Sequence, residues 1–192
     1  MYFVGNEGRI IHYNGTSWTK IESGTNLNIY DIYGAWNKYS NQWDVIAIAS
    51  SSQTTENVLL QIQANNTVSS LNTNGLSAFS TGVWFVPQNK YYIVGLGVHQ
   101  KTLLSDPVWN TYPQATVTNY ASSAITGQGI NDVFVVGSSC EVVHFNGSTW
   151  YNYYKEIPNA NGAALGGIDV KGNTVVIVGY IDQQAAAIIG RR

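Results

Sequence analysis

The chain has 192 residues, 44% of them hydrophobic but only 10% charged, with a formal net charge of −2, 19 Gly, 13 Tyr and 6 Trp. So little charge, with no basic cluster, argues against a nucleic-acid partner held through phosphates, and no apolar run approaches the roughly eighteen residues of a membrane-spanning helix. The single Cys140 allows no internal disulfide, no basic-then-apolar leader opens the chain, and the aromatic share suits sheets better than helices.

Read from its start, the chain repeats itself. Residues 1–18 (MYFVGNEGRIIHYNGTSW) return at 132–150 (DVFVVGSSCEVVHFNGSTW): Val4-Gly5 corresponds to Val136-Gly137, His12 to His144, Asn14-Gly15 to Asn146-Gly147 and Trp18 to Trp150. Each lies 132 residues on, which is three times 44. Between and beyond them stand 44–49 (DVIAIA), 91–95 (YYIVG) and 174–179 (TVVIVG), so a small residue ends an apolar strand at 5, 49, 95, 137 and 179. Five copies with a period of 42–46 residues are too regular for a single irregular sheet and define a repeat architecture.

Within a copy the grammar is strand, turn, strand. The run 132–137 is short and continuously apolar, as a strand buried on both faces should be. The run 141–145 follows, Asn146-Gly147 predicts a two-residue hairpin turn, and an aromatic strand is expected over 150–154. Gly-rich inner strands are expected near 27–36, 75–84, 119–128 and 163–171. Four short antiparallel strands per repeat make an all-β fold and a β-propeller. The expectation is one propeller domain over 1–192, five-bladed with incomplete first and last blades, with repeats at approximately 1–43, 44–90, 91–131, 132–173 and 174–192. The alternative is a fragment of a larger, for example seven-bladed, propeller. The last strand, 185–189 (AAAII), would be an apolar edge that needs a cover, and self-association through it is one way to supply it.

The pattern V-G-x-x-G-x-I-x-H-Y-N-G-x-x-W at 4–18 resembles tandem propeller repeats of secreted and surface-associated bacterial proteins. The N-G-S-T-W hairpin at 146–150 is distantly similar to the Asp-box of bacterial neuraminidase repeats, with Asn14 and Asn146 where that motif has aspartate. The resemblance implies a propeller with a binding or scaffolding role, secreted or at the cell surface, and implies no reaction. A sialidase is excluded by its own chemistry. It needs a guanidinium cluster, and the arginines here are Arg9, Arg191 and Arg192.

The remaining candidates follow from residue type. His12, His99 and His144 are expected on blade surfaces rather than around a metal, because a metal needs three or four converging ligands. No cofactor is expected. Cys140 has no neighbour in sequence to lower its pKa. Asp31 and Asp169 lie on expected inner strands and are the one pair of carboxylates with a route to glycoside hydrolysis. Trp18, Trp109 and Trp150 recur and are expected to pack between blades. Trp36, Tyr39 and Trp43 share no repeat position, are expected in or beside inter-blade loops, and are the candidate ligand-binding aromatics. The expected function is a non-catalytic binding or scaffold module for a protein or carbohydrate partner, the alternative being a glycoside hydrolase or lyase with carboxylates at the central channel. Neither a nucleic acid nor a membrane is expected as a partner.

Overall fold

The apolar runs that end in a small residue all form strands, the second of their sheet in four cases and the first at residues 2–4, because β-branched and aromatic side chains pack well on a pleated surface. In the computed structural model, which describes residues 1–76, 79–157 and 162–191, five antiparallel sheets follow one another along the chain. The first holds β1 (Tyr2–Val4), β2 (Arg9–Tyr13) and β3 (Trp18–Glu22). The second holds β4 (Asn28–Asn37), β5 (Gln42–Ser50), β6 (Asn57–Ile62) and β7 (Val68–Leu71). The third holds β8 (Ser80–Val86), β9 (Lys90–Gly95), β10 (Gly97–Lys101) and β11 (Asn110–Tyr112). The fourth holds β12 (Ser122–Gly129), β13 (Asp132–Gly137), β14 (Val142–Phe145) and β15 (Trp150–Asn152). The fifth holds β16 (Ala164–Lys171), β17 (Thr174–Ile181) and β18 (Gln184–Arg191).

Strand order equals chain order in every sheet. The expected inner strands are β4, β8, β12 and β16. Residues 77 and 78 of the expected strand 75–84, and Arg192, lie outside the described residues. The first sheet begins at the strand that corresponds to β5, β9, β13 and β17, and the fifth ends one strand early.

Two compact units divide the chain, 1–93 with 99–111, and 94–98 with 112–192. In the first unit, one core lies between the first and second sheets (Ile10, Ile21, Val45, Ala47, Leu60) and another between the second and third (Ile46, Ile48, Phe85, Tyr91, Trp109). In the second unit, Phe134, Val136 and Val142 of the fourth sheet pack on Leu165, Val175 and Ile177 of the fifth.

The recurring small residue is where backbones crowd. A Cβ added at Gly137 would lie 2.3 Å from the Ala121 carbonyl oxygen, and at Gly179 2.1 Å from that of Ala164. Beside it the first strand bulges at one and the same place: the register steps between Ile29 and Asp31, between Ser122 and Ala124, and between Leu165 and Gly167. The same level carries the link to the next sheet within each unit. Ile29 N–H donates to the Gly5 carbonyl (3.0 Å), the Ser50 hydroxyl to the Ser80 carbonyl (2.6 Å), and Ser139 N–H to the Ala163 carbonyl (2.8 Å).

Three local expectations are corrected. The Asn-Gly turns are four-residue loops: Tyr13 pairs with Trp18 and Phe145 with Trp150, while Asn14 and Asn146 each accept two main-chain N–H bonds inside the loop at 2.9 Å. Only glycine there takes a positive φ, +102° at Gly15 and +95° at Gly147. Of the recurring tryptophans only Trp109 is buried, its indole N–H donating to the Asn72 carbonyl (3.0 Å). Trp18 is 61% exposed because it closes its own hairpin, stacked on Tyr13 at 4.6 Å. The recurring histidine is a cross-strand stacking partner, His12 on Tyr2 (4.4 Å) and His144 on Phe134 (4.0 Å). His99, expected at a surface, is fully buried.

The Thr111 hydroxyl donates to the Gly75 carbonyl (2.7 Å), so it accepts from His99 Nδ1 (2.9 Å) and fixes that nitrogen as a donor. Burial lowers the His99 pKa from 6.5 to about 4. The unfolded chain therefore takes up the proton first, and stability falls as pH drops below 6.5, levelling off near 4. Urea unfolding between pH 7.5 and 4 should lose up to about 3 kcal/mol through this group, a loss that His99→Gln does not show. Gly137→Ala and Gly179→Ala should each cost about 1–3 kcal/mol in the same assay. Gly5→Ala should stay within about 0.5 kcal/mol, because nothing lies within 4 Å of a Cβ there.

Candidate binding cleft

Trp36 and Trp43 face each other in register across β4 and β5, so they flank a hairpin inside the second sheet rather than an inter-blade loop. Aromatics opposite each other extend a ladder, and these carry it almost to the turn. Asn37 holds that turn. Its Oδ1 accepts from the N–H of Tyr39 (3.0 Å) and Ser40 (3.3 Å), and its Nδ2 donates to Asp44 Oδ2 (2.9 Å). The two indoles meet edge to face at 5.9 Å and remain 49% and 60% exposed. Tyr39, 71% exposed, stands in the turn with Lys38 Nζ 5.1 Å from its ring.

A cleft of about 590 Å³ opens beside this pair, within the first unit. Ile32, Gly34 and Trp36 of β4 and Trp43 and Val45 of β5 line one side; Met1, Tyr2 and His12 of the first sheet line another. Tyr39 and Asp31 do not line it. No Lys, Arg, Asp or Glu does either, so the cleft offers apolar area, aromatic faces and the Gln42 amide. Its volume falls within the ordinary range of ligand pockets.

The opening has a structural cause. Counted back from the small residue, Tyr91 stands where Val45 does, and Phe85, stacked on it at 5.2 Å, stands where Gly34 does. Between the second and third sheets that level is filled, with Tyr33 edge-on to Phe85 at 5.3 Å. Between the first and second sheets, Gly34 presents no side chain.

A second hollow of about 380 Å³ touches Trp43 and is edged by Gln42, Asp44, Gln61 and Gln63. The side-chain amides of these three glutamines bond to nothing among the described residues.

The two aspartates are placed differently from each other. Asp31 follows the bulge of β4, opposite Ile48, and is half-buried. It accepts from the N–H of Ile32 (2.8 Å) and from that of Val83 on β8 (2.9 Å), so it ties the first strands of the second and third sheets together. Burial raises its carboxyl pKa above the ordinary value, outweighing the two N–H bonds that favour the charged form. Asp169 is exposed, accepts from the N–H of Val170 (2.8 Å), and pairs with Val176; Gly167, not Asp169, holds the register position of Asp31. Asp31 belongs to the first unit and Asp169 to the second. Among the described residues no three His, Cys, Asp or Glu side chains converge as metal ligands would. Glu141, also buried, is satisfied by the main-chain N–H of Asn119 and Tyr120 and by the Asn119 and Asn152 amides.

Trp36 and Trp43 were legible as candidates, but Gly34, Tyr2, His12 and Gln42 were not singled out for the cleft. The signal for Gly34 was the contrast with Phe85 at the equivalent place in the next copy.

Five successive antiparallel sheets, each built from strands in chain order and linked within each unit at a common level, are those of a β-propeller. No protein-family model matches the chain, and no curated protein matches it. Among solved structures, YCF48 bound to a D1 peptide aligns over 99% of this chain and 59% of its own, with a TM-score of 0.66 at 13% identity. YCF48 from Cyanidioschyzon merolae aligns over 100% of this chain and 65% of its own, with a TM-score of 0.63 at 13% identity. The chain thus spans less than two thirds of the length of either structure, and the likeness is one of fold.

Asp31→Ala removes the acceptor of the Val83 N–H and should lower the unfolding free energy by about 1–3 kcal/mol. Asp169→Ala should change it by less than about 0.5 kcal/mol. Equilibrium urea unfolding at pH 7 reads both.

Proposed function

We propose that residues 1–192 form one non-catalytic propeller module, of the bacterial tandem-repeat type, that binds a segment of a protein partner in the cleft beside Trp36 and Trp43. The observation that carries this reading is the exposed, edge-to-face tryptophan pair at a cleft lined by no Lys, Arg, Asp or Glu side chain, with walls fixed by two sheets. Exposed aromatics in a preformed concavity bring large contact area at little entropic cost. The fold likeness to YCF48 bound to a D1 peptide supports a protein rather than a small molecule as the partner. Asp31 is a structural carboxylate here, engaged with two main-chain N–H groups. Tyr39 and Asp169 have no part in the cleft.

A second reading, a glycan partner, is favoured by one observation: the Trp43 ring beside the glutamine-edged hollow, where amides can bond hydroxyls as the ring stacks.

Selection of a displayed library of random dodecapeptides on the purified chain, beside a glycan array, tests both. The expected result is a family of apolar, uncharged peptides whose binding falls at least tenfold in Trp36→Ala and Trp43→Ala. Glycans that bind and are lost in Trp43→Ala would replace the protein reading with the second one. Peptides that bind both variants as well as the parent chain would remove the cleft from the function.

A further inference from the structure

Resting on the first of those readings, we infer that the hollow beside Trp43 is the selectivity pocket of the site: it takes a side-chain amide, Asn or Gln, of the partner segment, and Asp44 and Gln61 are the residues that recognise it. The cleft and the hollow adjoin, since Gln42, Trp43, Ile62 and Ala64 line both. Pairing between β5 and β6 ends at Val45 and Ile62, and the hollow opens where that ladder runs out, edged by 42–44 on one strand and 61–65 on the other.

Laid on one register, the second and fourth sheets differ at this place. Asp44 corresponds to Asp132, 88 residues on, and Gln61, opposite Ile46, stands where His144 stands opposite Phe134. In the fourth sheet the two side chains satisfy each other, with His144 Nε2 2.9 Å from Asp132 Oδ1. In the second sheet they do not. Asp44 is only 7% exposed, and its Oδ2 accepts from the Asn37 amide. Its Oδ1 accepts no hydrogen bond among the described residues, and the Gln61 amide makes none. A carboxylate oxygen with so little access to water is costly to leave without a donor, and a donor brought by a partner removes that cost.

The chemistry of the hollow selects the occupant. It offers one open carboxylate oxygen and the amides of Gln42, Gln61 and Gln63, and no Lys or Arg lines it. An acidic side chain placed there would face Asp44 with no cation between them. A lysine or arginine brings donors alone; it would serve Asp44 but leave the NH₂ ends of the glutamines unmatched. A primary amide brings two donors and a carbonyl oxygen, so it can donate to Asp44 Oδ1 and pair with the Gln61 amide together. A site built to hydrogen-bond one such group rejects an analogue without it, because its own polar groups are then left unpaired.

The repeat also supplies the substitution that closes the pocket from within. Gln61→His gives the second sheet the pair that the fourth already has, so Asp44 is satisfied inside the chain and no longer needs a partner's donor. Asp44→Asn is the second variant: it keeps the shape and an acceptor for the Asn37 amide, and removes the charge.

The test uses the whole chain and the dodecapeptides selected on it. We expect Asn or Gln to be enriched at one fixed spacing from the apolar positions. In the tightest peptide, replacing that residue by Leu should weaken binding at least tenfold, and replacing it by Asp should do so as well. On Gln61→His the amide peptide and its Leu variant should bind within about twofold of each other, and on Asp44→Asn their difference should shrink at least threefold. Urea unfolding of both variants should show midpoints close to that of the parent chain, so that the lost preference is not lost structure. Peptides that need Trp36 and Trp43 but show no amide preference overturn the pocket and leave the binding reading intact, as does a preference that both variants leave unchanged. Lys or Arg selected at that position overturns it in favour of a cation. Glycans whose binding is lost in Gln61→His overturn it in favour of the second reading. Failure of every peptide to bind overturns both the pocket and the reading it rests on.

Discussion

The rest of the structure depends on one close approach, between the small residue that ends each second strand and the start of the first strand beside it. At Gly137 and Gly179 two main chains come so near that a methyl group has no room. The first strand relieves this by bulging, in three sheets at the same register. A bulge adds a local bend and extra twist. It also aims the strand end at the next sheet, where the links from Gly5, Ser50 and Ser139 are made. Ala49 occupies this level in the second sheet, so the constraint is on size and not on a positive φ. Stability in a repeat array is a sum of intrinsic and nearest-neighbour terms, and this junction adds hydrogen bonds to the apolar cores that make up the neighbour term.

That dependence explains why the repeat was readable from sequence. A strand covered on both faces, as β5, β9 and β13 are, must be apolar throughout, and its end must be small; β1 and β17 keep the same pattern with one face open, so the positions 5, 49, 95, 137 and 179 announce themselves without any help from the loops. The inner strands were placed to within a few residues for the same reason. The hairpins were less legible. Asn-Gly at 14–15 and 146–147 suggests a two-residue turn, but the asparagine side chain caps two N–H groups of a longer loop, and only the glycine turns left-handed. The recurring tryptophan misled in a similar way. Repetition says that a residue meets the same surroundings in each copy, and here those surroundings are a neighbour on its own hairpin, Tyr13 or Phe145, not the next sheet.

The candidate site was legible in part, and the part that was missed is a matter of empty space. Trp36 and Trp43 stood out because aromatics without a repeat position have no structural role assigned by the repeat. Their cross-strand pairing was hidden, since six residues between them look like a loop. The cleft itself arises from what is small: Gly34 stands where the next copy has Phe85. Absence leaves no signature in composition. It becomes visible only when copies are laid on one register.

The same comparison separates residues that hold the fold from residues that are free to bind. Asp31 was attractive as a catalytic carboxylate because it lies on an inner strand, but its oxygens serve the main chain of its own strand and of the next sheet's first strand. Glu141 and Asp44 are likewise engaged, by four donors around one carboxylate and by the Asn37 amide on the other. In a chain with so few charges, its buried carboxylates are used to satisfy main-chain and amide groups that the strands leave over. What these contacts leave unengaged around the cleft is, apart from one oxygen of Asp44, neutral: indole faces and glutamine amides. On the proposed reading, such groups favour a partner whose shape fits, over one selected by its charge.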